Sequence, residues 1–319
     1  MIIRVRSIFL SWALAVLSAL SGCAGVLELD EAVAIAPYRV DPGGRIVVES
    51  YINGHGPFDF VLDTGSSISA VFDGVRDKLS LNTLPNKMVI VHGAVASGTF
   101  PLLDVARLEV DAATWFEPRV VMLPGATDAS AGVDGILGLD FLRRYAVGFV
   151  ARERVVRLYK PETVANRAYR GWASIPFSAR KIGEDGAALY FIDITIDGWE
   201  VPAVFDLGAG LNMINWPGAR SLGIRKNRLR PEQILSGALQ DDMLIARLDA
   251  DIVRTARISW HNEYFSVADL DIFEIFGLAD SPAAILGAGL FTQRDFIIDF
   301  VRGRLLANIS MTELDHNEE

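Results

Sequence analysis

Soft metal ligands are scarce: the chain of 319 residues has one cysteine, Cys23, and four histidines. His55, His92 and His261 show no His-x3-His or Cys-His spacing, so no metal and no cofactor is expected. One cysteine cannot form an internal disulfide, which leaves stability to the core. Basic residues are also short, 30 Lys and Arg against 40 Asp and Glu, for a net charge of −10. That balance excludes a basic surface for nucleic acid or anionic lipid heads. Beyond the N-terminus no apolar run reaches the ~20 residues that would span a bilayer. Gly-x-Ser-x-Gly is missing, so Ser66-Ser67 is not read as a serine-hydrolase elbow, and Gly208-Ala209-Gly210 lacks the third glycine of a dinucleotide loop.

What is present begins with Arg4 and Arg6, an apolar run from Ile8 to Leu20, and Leu20-Ser21-Gly22-Cys23. This is the pattern of a bacterial lipoprotein signal. Residues 1–22 are expected to be the signal peptide and Cys23 the lipidated residue, with residues 23–41 as lipid-bearing tether. The expected location is the periplasm, with the lipid as the only membrane connection. Ala24 and Gly25 lack an acidic retention residue, which favours the outer membrane.

The rest of the chain is written twice. Phe60-Val61-Leu62-Asp63-Thr64-Gly65-Ser66 returns about 143 residues later as Ala203-Val204-Phe205-Asp206-Leu207-Gly208-Ala209. Upstream of each lies an apolar strand and a hairpin turn, Arg45–Ile52 before Asn53-Gly54 and Leu189–Ile196 before Asp197-Gly198. Downstream, Ile136-Leu137-Gly138 matches Ile285-Leu286-Gly287. Each half closes on a segment expected to be a strand, Val147–Tyr159 and Phe296–Ile309.

Short runs rich in Val, Ile and Phe, broken by Gly, Pro and Asn, predict an all-β chain. Short helices are expected at Asp73–Leu79, Leu139–Arg144, Pro217–Leu222 and Gly289–Arg294. The expected domains are a lobe over 42–160, a linker over 161–172, a lobe over 173–310 and an acidic tail over 311–319. The scattered tryptophans are assigned to packing, and Asp134, Asp140 and Asp299 to structural hydrogen bonding.

Two Asp-containing turns invite one chemistry. Two carboxylates held close cannot both ionise easily, so one can act as base on a water while the other donates a proton to a peptide carbonyl. Glycine after each Asp-x pair allows backbone to approach where a side chain would clash. With Asp-Thr-Gly-Ser and Ile-Leu-Gly both repeated, the sequence resembles the pepsin/retropepsin clan of aspartic peptidases in a bacterial two-lobed form. The resemblance implies two homologous β-barrel lobes around a cleft, and an endopeptidase acting on extended peptides or unfolded proteins.

By position, Asp63 and Asp206 would then be the catalytic pair, supported by Thr64, Gly65, Ser66 and Gly208. Thr64 would grip the opposite lobe and the Ser66 hydroxyl would donate to Asp63. Flap hairpins around Val91–Thr99 and Leu235–Asp242 would place His92, Gly93, Ala94, Gly237 and Ala238 on the substrate. Neither flap contains the tyrosine usual in pepsin-like flaps. Leu207 and Ala209 lack hydroxyls, so Asp206 is expected to hold the proton and Asp63 to be the ionised base. A single chain supplies both aspartates, so a monomer suffices. The alternative is a catalytically degenerate lipoprotein that only binds extended peptides.

Overall fold

The computed structural model describes residues 31–92, 97–125, 132–165, 169, 171–182, 187–225, 231–236 and 242–309. Strands dominate it, with a few helices of seven residues or fewer. In the first half, strands Ile46–Ile52 and His55–Leu62 form an antiparallel hairpin. Its turn residues Asn53 and Gly54 both have positive φ, 53° and 78°. Such turns twist with the strands they join. The second half repeats the device in Ala187–Ile196 and Trp199–Phe205, with Asp197 at 48° and Gly198 at 90°.

The strand leading into each Asp turn is then enclosed in the same way. Gly135–Leu137 runs parallel to His55–Leu62 and antiparallel to Ala70–Phe72. Ala284–Leu286 runs parallel to Trp199–Phe205 and antiparallel to Met213–Ile214. Next, Ala70–Phe72 pairs in parallel with Val120–Leu123, and Met213–Ile214 with Ile258–Val267. Parallel pairs so close in topology are demanding to build, and finding both twice establishes two homologous all-β lobes.

A six-stranded antiparallel sheet joins the lobes, three strands from each. Its order is Trp172–Pro176, Arg304–Asn308, Phe296–Asp299, Ala146–Val150, Val155–Tyr159 and Ala32–Val40. The halves meet where Val147 faces Ile298, Gly148 faces Ile297 and Phe149 faces Phe296. The Phe149 and Phe296 rings stack at 4.2 Å and 14°. One face of this sheet carries a small cluster that includes Ala146, Tyr159, Val164, Trp172, Ile297 and Leu306.

Several boundaries differ from the sequence reading. Val147–Tyr159 and Phe296–Ile309 are hairpins rather than single strands, because residues 152–154 and 302–303 take the turns, with Arg154 at φ 52° and Gly303 at 60°. Ala32–Val40 lies in the sheet, so the later part of the segment expected as tether is structural. The linker is shorter too. Pro161–Ala165 is a helix with Val164 and Ala165 buried, and Trp172 opens a strand. Of the expected helices, Asp73–Leu79 forms as read. Pro217–Leu222 shifts by one residue to Trp216–Ser221, and the other two shorten to Leu139–Leu142 and a single 3-10 turn at Ala288–Leu290. Asp271–Ile275 adds a helix the sequence did not suggest. Among the described residues no helix is long and apolar enough to cross a membrane.

The ring stack at the lobe junction makes a testable claim. Phe296→Ala should cost about 3–5 kcal/mol in urea unfolding, as large-to-small changes at buried aromatic sites do. A surface control, Val301→Ala, at 67% exposure, should change stability by less than about 0.5 kcal/mol.

Candidate active site

Each Asp turn hangs from its enclosing strand by a main-chain hydrogen bond. Asp63 N–H donates to Leu137 O at 3.0 Å, and Asp206 N–H donates to Leu286 O at 3.0 Å. The following residues close each turn onto its own carboxylate. Gly65 and Ser66 N–H donate to Asp63 Oδ1 at 2.8 and 2.9 Å. Gly208 and Ala209 N–H donate to Asp206 Oδ1 at 2.8 and 3.2 Å. These donors are backbone groups, so the alanine at 209 costs the site no donor equivalent to them.

The two turns interlock through glycine. A Cβ added to Gly65 would fall on the Asp206 carboxylate, and one added to Gly208 would fall on that of Asp63. The two carboxyls are hydrogen-bonded to each other. Nearby, Gly210 meets Gly43 so closely that a Cβ would overlap the Gly43 carbonyl. That contact sets the turn between the first two strands onto the second lobe. Asp41 shapes the turn by accepting from Arg45 Nε and Nη2 at 2.8 and 2.6 Å.

Beneath the carboxyls, Thr64 does what the resemblance implied. Its hydroxyl donates to Phe205 O at 2.8 Å and accepts from Leu207 N–H at 2.9 Å. Leu207 has no hydroxyl to return the grip; its side chain is fully buried in the main core. Leucine therefore replaces a directional contact by an apolar one without pushing the lobes apart.

One sequence expectation changes here. The Ser66 hydroxyl donates to Ile68 O at 2.7 Å, so the residue supports Asp63 through its N–H alone. Burial, the charge of Asp206 and the hydrogen bond from Asp206 hold Asp63 well above the ordinary carboxylate range. Asp206 is raised by burial as well, but the N–H groups of Gly208, Ala209 and Gly65 and the bond from Asp63 oppose the rise. Both carboxyls are thus held above the ordinary range, and the pair shares a proton. Each side chain still keeps part of its surface open to the cleft.

The flap expectation is resolved only in part. Thr83–His92 and Ser97–Leu103 form an antiparallel hairpin in which His92 faces Ser97, and His92 Nδ1 lies 2.8 Å from Ser97 Oγ. Pro231–Ser236 and Asp242–Thr255 form the hairpin of the second lobe. Gly93, Ala94, Gly237 and Ala238 lie outside the described residues, as does Cys23. Among the described residues no three His, Cys, Asp or Glu side chains gather so as to hold a metal ion.

Sequence reasoning missed the supports behind the turns. Ser69 Oγ accepts from Gly138 N–H at 3.0 Å, while Asn212 Oδ1 accepts from Gly287 N–H at 3.0 Å. The two residues stand at matching positions, so alignment of the halves could have paired them.

Two lobes related by repetition, each presenting an Asp turn to the other, define the aspartic protease class. Residues 48–141, which hold the first Asp turn and its enclosing strand, match the family model described as aspartyl protease. The first lobe is thus a domain of the pepsin/retropepsin-like aspartyl protease family, a family of hydrolases. No curated protein matches the chain.

Thr64→Val would leave the Phe205 carbonyl and the Leu207 N–H without their partner, at about 1–3 kcal/mol for each buried group. Urea unfolding should register that loss, and Thr64→Ser should recover most of it. The dyad predicts a second, opposite effect. Both folded pKa values are raised, so the stability from holding these groups neutral is full below about pH 4 and lost as pH rises through the folded values. Asp63→Asn should therefore raise Tm by a few degrees at pH 8, with the gain shrinking toward pH 4.

Proposed function

We propose that this protein is an aspartic endopeptidase that hydrolyses peptide bonds with a water activated between Asp63 and Asp206. The observation that carries the reading is the reciprocal fit of the two turns, each glycine making room for the opposite carboxylate. A pair so close retains one proton over a broad pH range.

The steps follow from that shared proton. With the proton on Asp63, the Asp206 carboxylate takes a proton from water as the water oxygen bonds to the peptide carbonyl carbon. Asp63 gives its proton to the carbonyl oxygen, producing a neutral gem-diol. The proton now on Asp206 passes to the amide nitrogen and the C–N bond breaks. Asp63 recovers a proton from the diol as it collapses to the new carboxyl. No proton is gained or lost over the cycle, and both aspartates are needed.

The cleft favours extended peptides or unfolded proteins, since the strand hairpins beside it can pair with an extended chain. One chain carries both turns, so a monomer suffices. The N-terminal pattern supports lipidation at Cys23 and a periplasmic place on the outer membrane, the lipid being the sole membrane contact. A peptide-binding module without catalysis would be favoured by a wedge at Leu207. Leu207 is instead buried, and its N–H meets Thr64.

A diverse peptide pool should be cleaved between pH 3 and 7 by protein lacking the first 23 residues. Asp63→Asn and Asp206→Asn should each lower cleavage by about three orders of magnitude or more. Loss with Asp63→Asn alone would point to pairing of first lobes between molecules. Peptide binding without cleavage at any pH would replace the peptidase by the binding module. A rate still rising below about pH 3 would contradict the raised dyad.

A further inference from the structure

The two Asp turns are supported from behind by different chemistry. In the first lobe Ser69 is fully buried and sits at the end of the Asp63 turn. Its hydroxyl accepts from Gly138 N–H at 3.0 Å, so the hydroxyl proton goes the other way, to Asp140 Oδ1 at 2.6 Å. Ser69 N–H donates to Asp140 Oδ2 at 3.0 Å, and Phe141 N–H donates to Oδ1 at 2.9 Å. Three donors thus converge on one carboxylate and occupy both oxygens. A proton on Asp140 would remove the charge that strengthens these bonds. The ring also ties the Asp63 turn to the helix Leu139–Leu142, whose first N–H donates to Ser66 O at 2.8 Å.

The second lobe has the same frame and no charge. Ala288 N–H donates to Ala209 O at 2.9 Å, matching the bond from Leu139 to Ser66. Asn212 takes the place of Ser69, its amide oxygen accepting from Gly287 N–H. Gly289 stands where Asp140 stands, after the repeated Leu-Gly-x. One Asp turn therefore rests on an ionisable support and the other on a neutral amide.

We propose that Asp140 is a positioning residue for Asp63, whose ionised carboxylate holds the first Asp turn in its working place and thereby sets the acidic edge of activity. This rests on the peptidase reading and names a regulation of that same site. Arg143 on the same helix is the charged side chain bearing on Asp140. The Asp63 turn presents Ser69 to it, and the strand Ala70–Phe72 brings no charge. Burial raises the Asp140 pKa against the Ser69 and Phe141 donors and Arg143. The support therefore loosens as pH falls, before an ordinary exposed carboxylate would be protonated.

Two readouts on the full-length protein test this. In peptide cleavage, Asp140→Asn should lower kcat severalfold at the optimum with KM unchanged. It should also move the midpoint of the acidic limb to lower pH by about one unit. Asp140→Ala should lower kcat by about tenfold, since a turn carrying a catalytic group is then left loose. A merely structural role would reduce Tm and leave the limb where it was, and an unmoved limb overturns the proposal.

The second readout is hydrogen exchange, corrected for intrinsic rate. Protection of 63–69 should fall with pH in the wild type and stay flat in Asp140→Asn, while that of 206–212 stays flat in both. If the wild type cleaves nothing yet shows this contrast, the peptidase reading fails and the positioning role stands. If 63–69 and 206–212 respond alike, the positioning role fails whatever the activity.

Discussion

Two carboxyl groups must be held in contact although each, once charged, repels the other, and the fold is arranged around that cost. Like charges in a cleft with little water raise each other's pKa, and the pair settles by sharing a proton. The hold has to be rigid, because the pair would otherwise separate and hydrate. Rigidity comes from main-chain bonds: Asp63 to Leu137, Asp206 to Leu286, and the N–H pairs that close each turn. Side chains contribute less than the sequence implied, which is why Ala209 is tolerated where a hydroxyl was expected.

Leu207 shows how uneven a repeated structure can become. A two-way grip would offer two more neutral hydrogen bonds, each worth about 0.5–1.5 kcal/mol net, whereas burying a leucine side chain contributes about 1.5–3 kcal/mol. These nearly offset each other, so the exchange leaves stability where it was. What changes is direction. At the turns, Thr64 alone now makes the side-chain grip between the lobes, through Phe205 O and Leu207 N–H. The six-stranded sheet takes up the remaining hold, with Phe149 stacked on Phe296 across the lobe boundary.

The duplication, the all-β class and the meeting of Asp63 with Asp206 were legible because repetition is a signal that survives in one sequence. Asn53-Gly54 and Asp197-Gly198 announced hairpins because few residues adopt positive φ cheaply. Boundaries were harder. Nothing local distinguishes Val147–Tyr159 as a strand from the same residues as a hairpin, since the apolar pattern resumes after the turn at 152–154. Ala32–Val40 looked like tether because its partners, Val155–Tyr159 and Ile46–Ile52, lie far along the chain or in another hairpin.

The unequal lobes also bear on how a single chain can differ from a symmetric pair. Two identical subunits must present the same support to both aspartates, so any pH response of one is the response of both. Once the halves are fused, the first can keep Ser69 with Asp140 while the second uses Asn212 and Gly289. The dyad needs its members unequal at the moment of reaction, one protonated and one not. On the proposed mechanism, supports that differ in charge would give that inequality a fixed direction before any substrate arrives. The one-way grip of Thr64 adds to that asymmetry, since its single hydroxyl meets both Phe205 O and Leu207 N–H of the second lobe.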